Sequence, residues 1–305
     1  MPAFCSCASN IANTGAPNSQ NLIDIGVKLI VVNLFADDGT QNSILSSDTL
    51  DSAYITAKLN NADKTKRWFP LGSFVNVEET RADPNAEEFT DGSQSITRIG
   101  RRSWSGKLLS HSSRYLAKME GLFCQKFGLY TVDNCGNLVG RMSADGTKLF
   151  PITVNQSSWS SILMKGTFTE SAGINLAFDF AQTMKDKDLR QINASDISVD
   201  LLDVEGLRDV NTVISAESTT GFVATLTLPF DEFLNAAPVA TGWLLADFVL
   251  YNETDASSVV ITTVTETGST GVYTFVIPTQ DSADVLSLTA VKNGFDLGTV
   301  TVTIP

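Results

Sequence analysis

Beyond Val210 the chain becomes a series of short β-branched segments at near-regular spacing, and few architectures accept such a series. Thr212 to Glu217, Gly221 to Leu228, Ala246 to Asn252, Ser258 to Thr265, Gly271 to Ile277, Val285 to Lys292 and Gly298 to Ile304 all have strand composition. Gly268-Ser-Thr-Gly271 and Asp281-Ser supply turn chemistry between them. Short strands repeated in this way predict two antiparallel sheets packed face to face. No cysteine falls in this region, so its core must hold without a disulfide, and Trp243, Phe248, Tyr251, Tyr273 and Phe275 are the side chains available to fill it. Charge sets the region apart as well. It carries ten acidic residues against one basic residue, Lys292, a net of −9, whereas the first 209 residues carry −4. A length of 305 residues suits two domains, and pattern and charge together place the boundary between residues 209 and 210.

The first 209 residues read as a second β-rich unit. Residues 1 to 20 are rich in Ser, Asn and Ala and suit an arm that orders against a neighbour. Asn21 to Phe35 is a buried strand by its apolar, β-branched run, closed by Asp37-Asp-Gly. Asp48 to Leu59 predicts a short helix or helical turn, and Trp68 to Glu78 returns to strand. From Glu79 to Gly92 the chain is polar, with Pro84 and the carboxylates Glu79, Asp83, Glu87, Glu88 and Asp91. Extended segments flank it on both sides, Ile96 to Ile99 and Trp104 to Leu108 on the far side, so a long hairpin excursion is the expected geometry. One amphipathic helix follows near Ser113 to Phe123, capped by Ser112 or Ser113, with Tyr115, Leu116, Met119, Leu122 and Phe123 on one face. Phe127 to Val132 and Leu138 to Met142 pair about Asp133-Asn-Cys-Gly-Asn. Ile152 to Val154, Ser160 to Phe168 and Ile174 to Phe180 are further strands, and Ile192 to Leu207 is read as a last strand with an exit loop. The fold class expected is therefore mainly β, a sandwich or barrel-like unit with one packed helix followed by a second sandwich.

A search for chemistry returns little. There is no phosphate loop ending in Lys-Ser or Lys-Thr and no Gly-x-Ser-x-Gly elbow. His111 is the only imidazole, and a helix-capping or solvent-exposed role is expected of it. The acid pairs Glu78-Glu79, Glu87-Glu88 and Asp37-Asp38 are sequence neighbours in turns, where solvated charge is the ordinary state, although two carboxylates are in principle enough for glycosidase work. Cys5, Cys7, Cys124 and Cys135 match no zinc spacing, and Asp133-Asn-Cys-Gly-Asn and Asp281-Ser-Ala-Asp match no calcium loop. No catalytic residue, metal or cofactor is expected. The basic run Arg98, Arg101, Arg102, Lys107, Arg114 and Lys118 around Trp104 suggests nucleic acid, but a chain of net charge −13 is a poor phosphate grip, and contacts to carboxylates of another copy are the expected use. No stretch approaches the roughly 18 apolar residues that span a bilayer, and the amino terminus lacks the basic start and apolar run of a signal peptide, so synthesis in the cytosol is expected.

A β-rich unit with one helix, an amino-terminal arm over Met1 to Gln20 and a polar hairpin over Glu79 to Gly92, followed by an acidic sandwich of immunoglobulin type, resembles the major tail tube protein of tailed bacteriophages. The resemblance implies a virion structural protein whose copies form hexameric rings that stack into a tube, in contact with other tail proteins, with DNA passing through without specific binding. It places Glu79, Asp83, Glu87, Glu88 and Asp91 at contacts between copies, with Arg98, Arg101, Arg102 and Lys107 of an adjoining copy as the counter-surface. An acidic wall fits that role because it repels phosphate and leaves a passage. The other readings kept open are a capsid or decoration protein and, from a different class, a carbohydrate-binding module or β-rich glycosidase.

Overall fold

The computed structural model describes residues 23–109, 112–229, 237–292 and 294–305. The expectations for the arm Met1 to Gln20, for Cys5 and Cys7, and for His111 lie outside the described residues. The fold is mainly β, with 48% of residues in strands and 11% in helices. In chain order the first unit contains β1 (Gly26–Asn33), β2 (Ile44–Leu45), α1 (Ser52–Leu59), β3 (Trp68–Arg81), β4 (Asn85–Glu88), β5 (Gln94–Arg98), β6 (Arg102–Leu109), α2 (Ser113–Glu120) and β7 (Phe127–Asp133). It continues with β8 (Leu138–Met142), β9 (Lys148–Phe150), β10 (Ile152–Thr153), β11 (Ser160–Met164), β12 (Gly173–Asp179) and β13 (Leu189–Ile192). All but β4 and β5 belong to one sheet of order β11-β12-β6-β3-β1-β7-β8-β9-β2, with β10 added on β7 and β13 on β8.

β1 lies at the middle of this sheet, and its sequence says why. Successive side chains of a strand point to opposite faces, so an uninterrupted apolar run requires cover on both. Leu29 and Val31 enter one core with Trp104, Phe127, Leu129, Trp159 and Phe178. Ile30 and Val32 enter the other with Ile44, Ile55, Trp68, Tyr130 and Val132. The aromatic centre of the first core is a ladder in which Trp104 stacks on Phe178 at 5.2 Å between centroids and Phe178 stacks on Trp159 at 5.4 Å. Each indole also has a carbonyl partner, Trp104 Nε1 donating to Gly26 O at 3.1 Å and Trp159 Nε1 to Met119 O at 2.8 Å. Fully burying a side chain of this size removes both its apolar surface and a donor from water, so these bonds are what makes tryptophan tolerable there.

Two short helices, rather than one, close the cores. α1 is capped by Asp51, whose carboxylate accepts from Tyr54 N, and it buries Ile55 on the second core. α2 is capped by Ser112 and sets Met119 into the first core, with Tyr115, Leu116 and Leu122 against it. The helix ends at Glu120, three residues short of expectation. Gly121 caps it and Cys124 takes a left-handed φ of 62°, so Phe123 leaves the helical face and stays 52% exposed. The strand expected from Ile192 to Leu207 is also absent. β13 stops at Ile192, and Ile197 and Leu201 are instead buried from irregular chain, Ile197 by a single parallel bridge to Leu50. Their spacing satisfies burial without the alternation that a strand needs.

The carboxy-terminal unit contains β14 (Arg208–Asp209), β15 (Asn211–Ser218), β16 (Gly221–Thr227), β17 (Phe248–Asn252), β18 (Ser257–Val259), β19 (Thr263–Glu266), β20 (Val272–Val276), β21 (Val285–Lys292) and β22 (Phe295–Thr303). They form two sheets, β14-β22-β21-β17-β18 and β15-β16-β20-β19. Phe222, Trp243, Phe248, Tyr273, Phe275, Leu286 and Leu288 fill the space between them. Tyr251 does not join this core, because Leu250 and Asn252 take the inward positions on either side of it. The single strand expected over Ser258 to Thr265 is two strands in different sheets. Val260 is 76% exposed and Ile261 is buried, so the chain leaves one sheet and enters the other at this point.

A projecting hairpin as the candidate assembly site

The long excursion is a β-hairpin that leaves the main sheet. β3 pairs with β1 over Trp68 to Ser73 and with β6 from Phe74 onward, with a bulge between Val75 and Glu78 where Asn76 takes φ 51°. Such a bulge bends the strand away from the sheet it started in. The β3–β6 ladder reaches Arg81 opposite Arg102 and is extended by Ala82 N donating to Arg101 O at 2.8 Å. The legs then touch: a Cβ added to Gly100 would lie 1.6 Å from Ala82 O, so only glycine fits the crossing. Beyond it β4 and β5 pair with each other alone, Glu87 opposite Ser95 and Glu88 opposite Gln94. The tip is a turn in which Phe89 N donates to Ser93 O and Gly92, at φ 81°, donates to Phe89 O. Asp91 accepts from Ser93 N at 2.9 Å and from its Oγ at 2.6 Å, and the Ser93 hydroxyl and amide hold its carboxyl below the ordinary aspartate range.

Every residue from 81 to 99 is exposed. Among them Phe89, Ile96 and Ile99 expose 46%, 65% and 62% of their surface, next to the carboxylates Asp83, Glu87, Glu88 and Asp91. A two-stranded ribbon is marginal by itself in water. Here it has no core of its own and carries apolar surface that the rest of the chain leaves wet.

At the base of the hairpin several of the expected contact residues have partners within the chain. Glu79, expected at a contact between copies, forms an ion pair with Arg102 of the same chain. Arg102 also meets Asp186 at 3.1 Å, and its guanidinium lies over the Phe180 ring at 5.5 Å. Arg101 pairs with Asp179 at 3.2 Å, and Lys107 Nζ donates to Ser171 O at 2.5 Å. These four side chains are therefore engaged within the chain, and Asp179 and Asp186, which supply two of the partners, come from segments remote in sequence. Asp83, Glu87, Glu88 and Arg98 have no ion pair among the described residues. Arg98 instead lines two adjoining grooves at the hairpin base, one of about 430 Å³ with Arg101, Gln156 and Gln182, the other of about 220 Å³ with Arg81, Ile99 and Met184.

A second exposed feature was invisible in sequence. β11 ends the main sheet, and no described strand pairs with its outer edge. Ile162, Leu163 and Met164 on it are 57%, 44% and 40% exposed, and Phe168 just beyond is fully exposed. Natural edges are usually short, charged, broken by proline or covered by another element; α2 packs against β11, yet the apolar half of the strand stays exposed.

The remaining candidates disperse. Neighbouring residues of a strand point apart, so neither Glu78-Glu79 nor Glu87-Glu88 brings two carboxylates together, and Asp38 is tied to Lys66 at 2.8 Å. Lys66 and Thr40 hold the Asp38 carboxyl well below its ordinary range. Asp133 is buried, and its oxygens accept from Cys135 N, Asn137 N and Asn137 Nδ2, so it organises the β7–β8 turn. Asp284 is likewise buried and accepts from Asn252 Nδ2 and Asp281 N. Among the described residues no three metal-ligating side chains converge, and Cys124 and Cys135 are exposed free thiols. No helix among those residues is long and apolar enough to cross a membrane. In comparisons with known proteins, no family model, no curated protein and no solved structure matches the chain.

Proposed function

We propose that the chain is a structural subunit that assembles with copies of itself, as the subunit of a tail tube of a bacteriophage virion built from stacked rings. The observation that carries this reading is the hairpin over residues 81 to 99, exposed on every residue yet apolar at Phe89, Ile96 and Ile99. A monomer gains nothing by ordering such a ribbon, because fixing each backbone residue costs about 1–2 kcal/mol and no burial offsets it. A neighbouring copy supplies the burial. The acidic tip with Glu87, Glu88 and Asp91 suits the arginine-lined grooves at the hairpin base of the next ring, where Arg98 has no carboxylate partner among the described residues. The β11 edge supports the same reading from another direction. Pairing a strand edge that no described strand occupies with a second copy removes its aggregation liability, and a head-to-tail contact of that kind closes into a ring when the rotation permits.

The carboxy-terminal unit is the appended immunoglobulin-like domain of this reading. Lettering β15 to β22 in turn as A, B, C, C′, D, E, F and G, the two sheets run A-B-E-D and G-F-C-C′, with β14 added in parallel on the outer side of G, and apart from that strand this is an order that immunoglobulin sandwiches use. The net charge of −13 keeps the assembled wall repulsive to DNA phosphate. Electron microscopy of the purified protein over a concentration series tests the proposal. Rings or hollow tubes are the expected result, and a chain that stays monomeric at high concentration and low salt, with the hairpin accessible, overturns it.

A further inference from the structure

The junction between the two units is held at both ends by buried cations. Lys28 on β1 is 3% exposed, and its Nζ donates to Leu202 O at 2.7 Å and Val204 O at 2.6 Å, fastening the last turns of the first unit to that unit's central strand. Just beyond, Gly206 runs close against Pro70, where an added Cβ would lie 3.2 Å from the Pro70 carbonyl oxygen. Arg208 and Asp209 then pair in parallel with Phe295 and Asp296, and Val210 N donates to Asp296 O at 2.9 Å. The Asp296 side chain reaches back across the junction. Its Oδ2 pairs with Nη1 of Arg67, and its Oδ1 accepts from Gly298 N at 2.9 Å. Arg67, at the start of β3, is 3% exposed and gives its Nε to Asn61 O. Around this pair lie the weaker contacts Lys64–Asp296 at 3.9 Å and Lys118–Asp209 at 2.6 Å.

A guanidinium withdrawn from water is costly unless a carboxylate is held against it, and the carboxylate here belongs to the other unit. A domain swinging on a tether would leave Arg67 to find water or no partner at all. We infer that Arg67 and Asp296 form a latch that fixes the carboxy-terminal sandwich in one orientation on the first unit. The inference concerns contacts within one chain and does not depend on the assembly reading.

Trypsin cleavage after Arg208 in the full chain reads the latch, because Asp209, on the far side of that peptide, is held against Lys118 of the first unit only while the sandwich is docked. When opening is fast, cleavage follows the open population. Removing one member of a buried pair strands the other. The variants D296N and R67M should therefore raise the rate of cleavage after Arg208 by about tenfold or more, with far-UV circular dichroism unchanged. Replacing both charges together, as R67M/D296L, should return the rate toward that of the parent, since apolar replacement of a whole buried pair is commonly tolerated. Small-angle scattering of the unaltered chain should fit one orientation. Parent-like cleavage in both single variants overturns the latch, and so does scattering that requires an ensemble of orientations. The scattering measurement decides by itself if a single variant fails to fold.

Discussion

Replacing residues 83 to 99 by Asn-Gly between Ala82 and Gly100 removes seventeen residues, none of them buried, and leaves the β3–β6 ladder with its Ala82 N to Arg101 O bond. The hydrophobic loss follows from exposure. With Ile96 and Ile99 more than 60% exposed and Phe89 nearly half exposed, little apolar area returns to water, and the associated cost is about 1 kcal/mol or less. Loop closure acts in the opposite direction. Shortening the connection from seventeen residues to two is about three halvings of length, each worth about 0.6 kcal/mol, so close to 2 kcal/mol favours the shortened chain. Asn-Gly followed by the retained Gly100 also suits the three-residue turn between Ala82 and Arg101 that this joint requires. The net expectation is a subunit between unchanged and about 2 kcal/mol more stable, with assembly lost. Urea unfolding should show a midpoint equal to or above that of the parent at an unchanged slope, while sedimentation and electron microscopy show no tubes. A destabilisation beyond about 1 kcal/mol, or a reduced slope, would mean that the hairpin packs on its own subunit. Tubes of normal length from the shortened chain would refute its role between copies.

Three further outcomes follow from the packing. Trp104→Ala removes a side chain 1% exposed, together with its stack on Phe178 and its bond to Gly26 O, and should cost about 3–5 kcal/mol in urea unfolding of the full chain. A fragment from residue 207 to 305 contains the whole core around Phe222, Tyr273 and Leu288 and should unfold cooperatively by itself, and a chain ending near Asp209 should still assemble; calorimetry of the first and microscopy of the second check the division. For Asp296, burial pushes the carboxyl up, but the Gly298 N–H and the Arg67 guanidinium outweigh it and leave its pKa below the ordinary aspartate value. Because the folded pKa lies below the unfolded one, this contribution is present in full above about pH 4 and is lost as pH falls through the folded value, so cleavage after Arg208 by an acid-active endopeptidase should accelerate only below about pH 4 in the parent and show no such step in D296N.

What the amino-acid sequence determined was local. Short β-branched segments at near-regular spacing located the strands of the sandwich, the unbroken apolar run of β1 required cover on both faces, and Asp133-Asn-Cys-Gly-Asn specified the β7–β8 turn, because each of these signals is carried by residues within a few positions of one another. The excursion was legible for the same reason: a polar stretch with Pro84 and a Gly92 turn, flanked by extended segments, has few other ways to run. What the tertiary structure decided was pairing at long range. Whether Arg102 is a free cation or the partner of Glu79 and Asp186 depends on a segment more than eighty residues away, and the burial of Arg67 depends on Asp296, 229 residues distant. The same holds for β11. Its composition marks a strand, but being an edge is a property of the sheet order, which places β12 on one side of it and no described strand on the other. Charge and edge exposure are set by what arrives from elsewhere in the chain, and local composition holds no record of it.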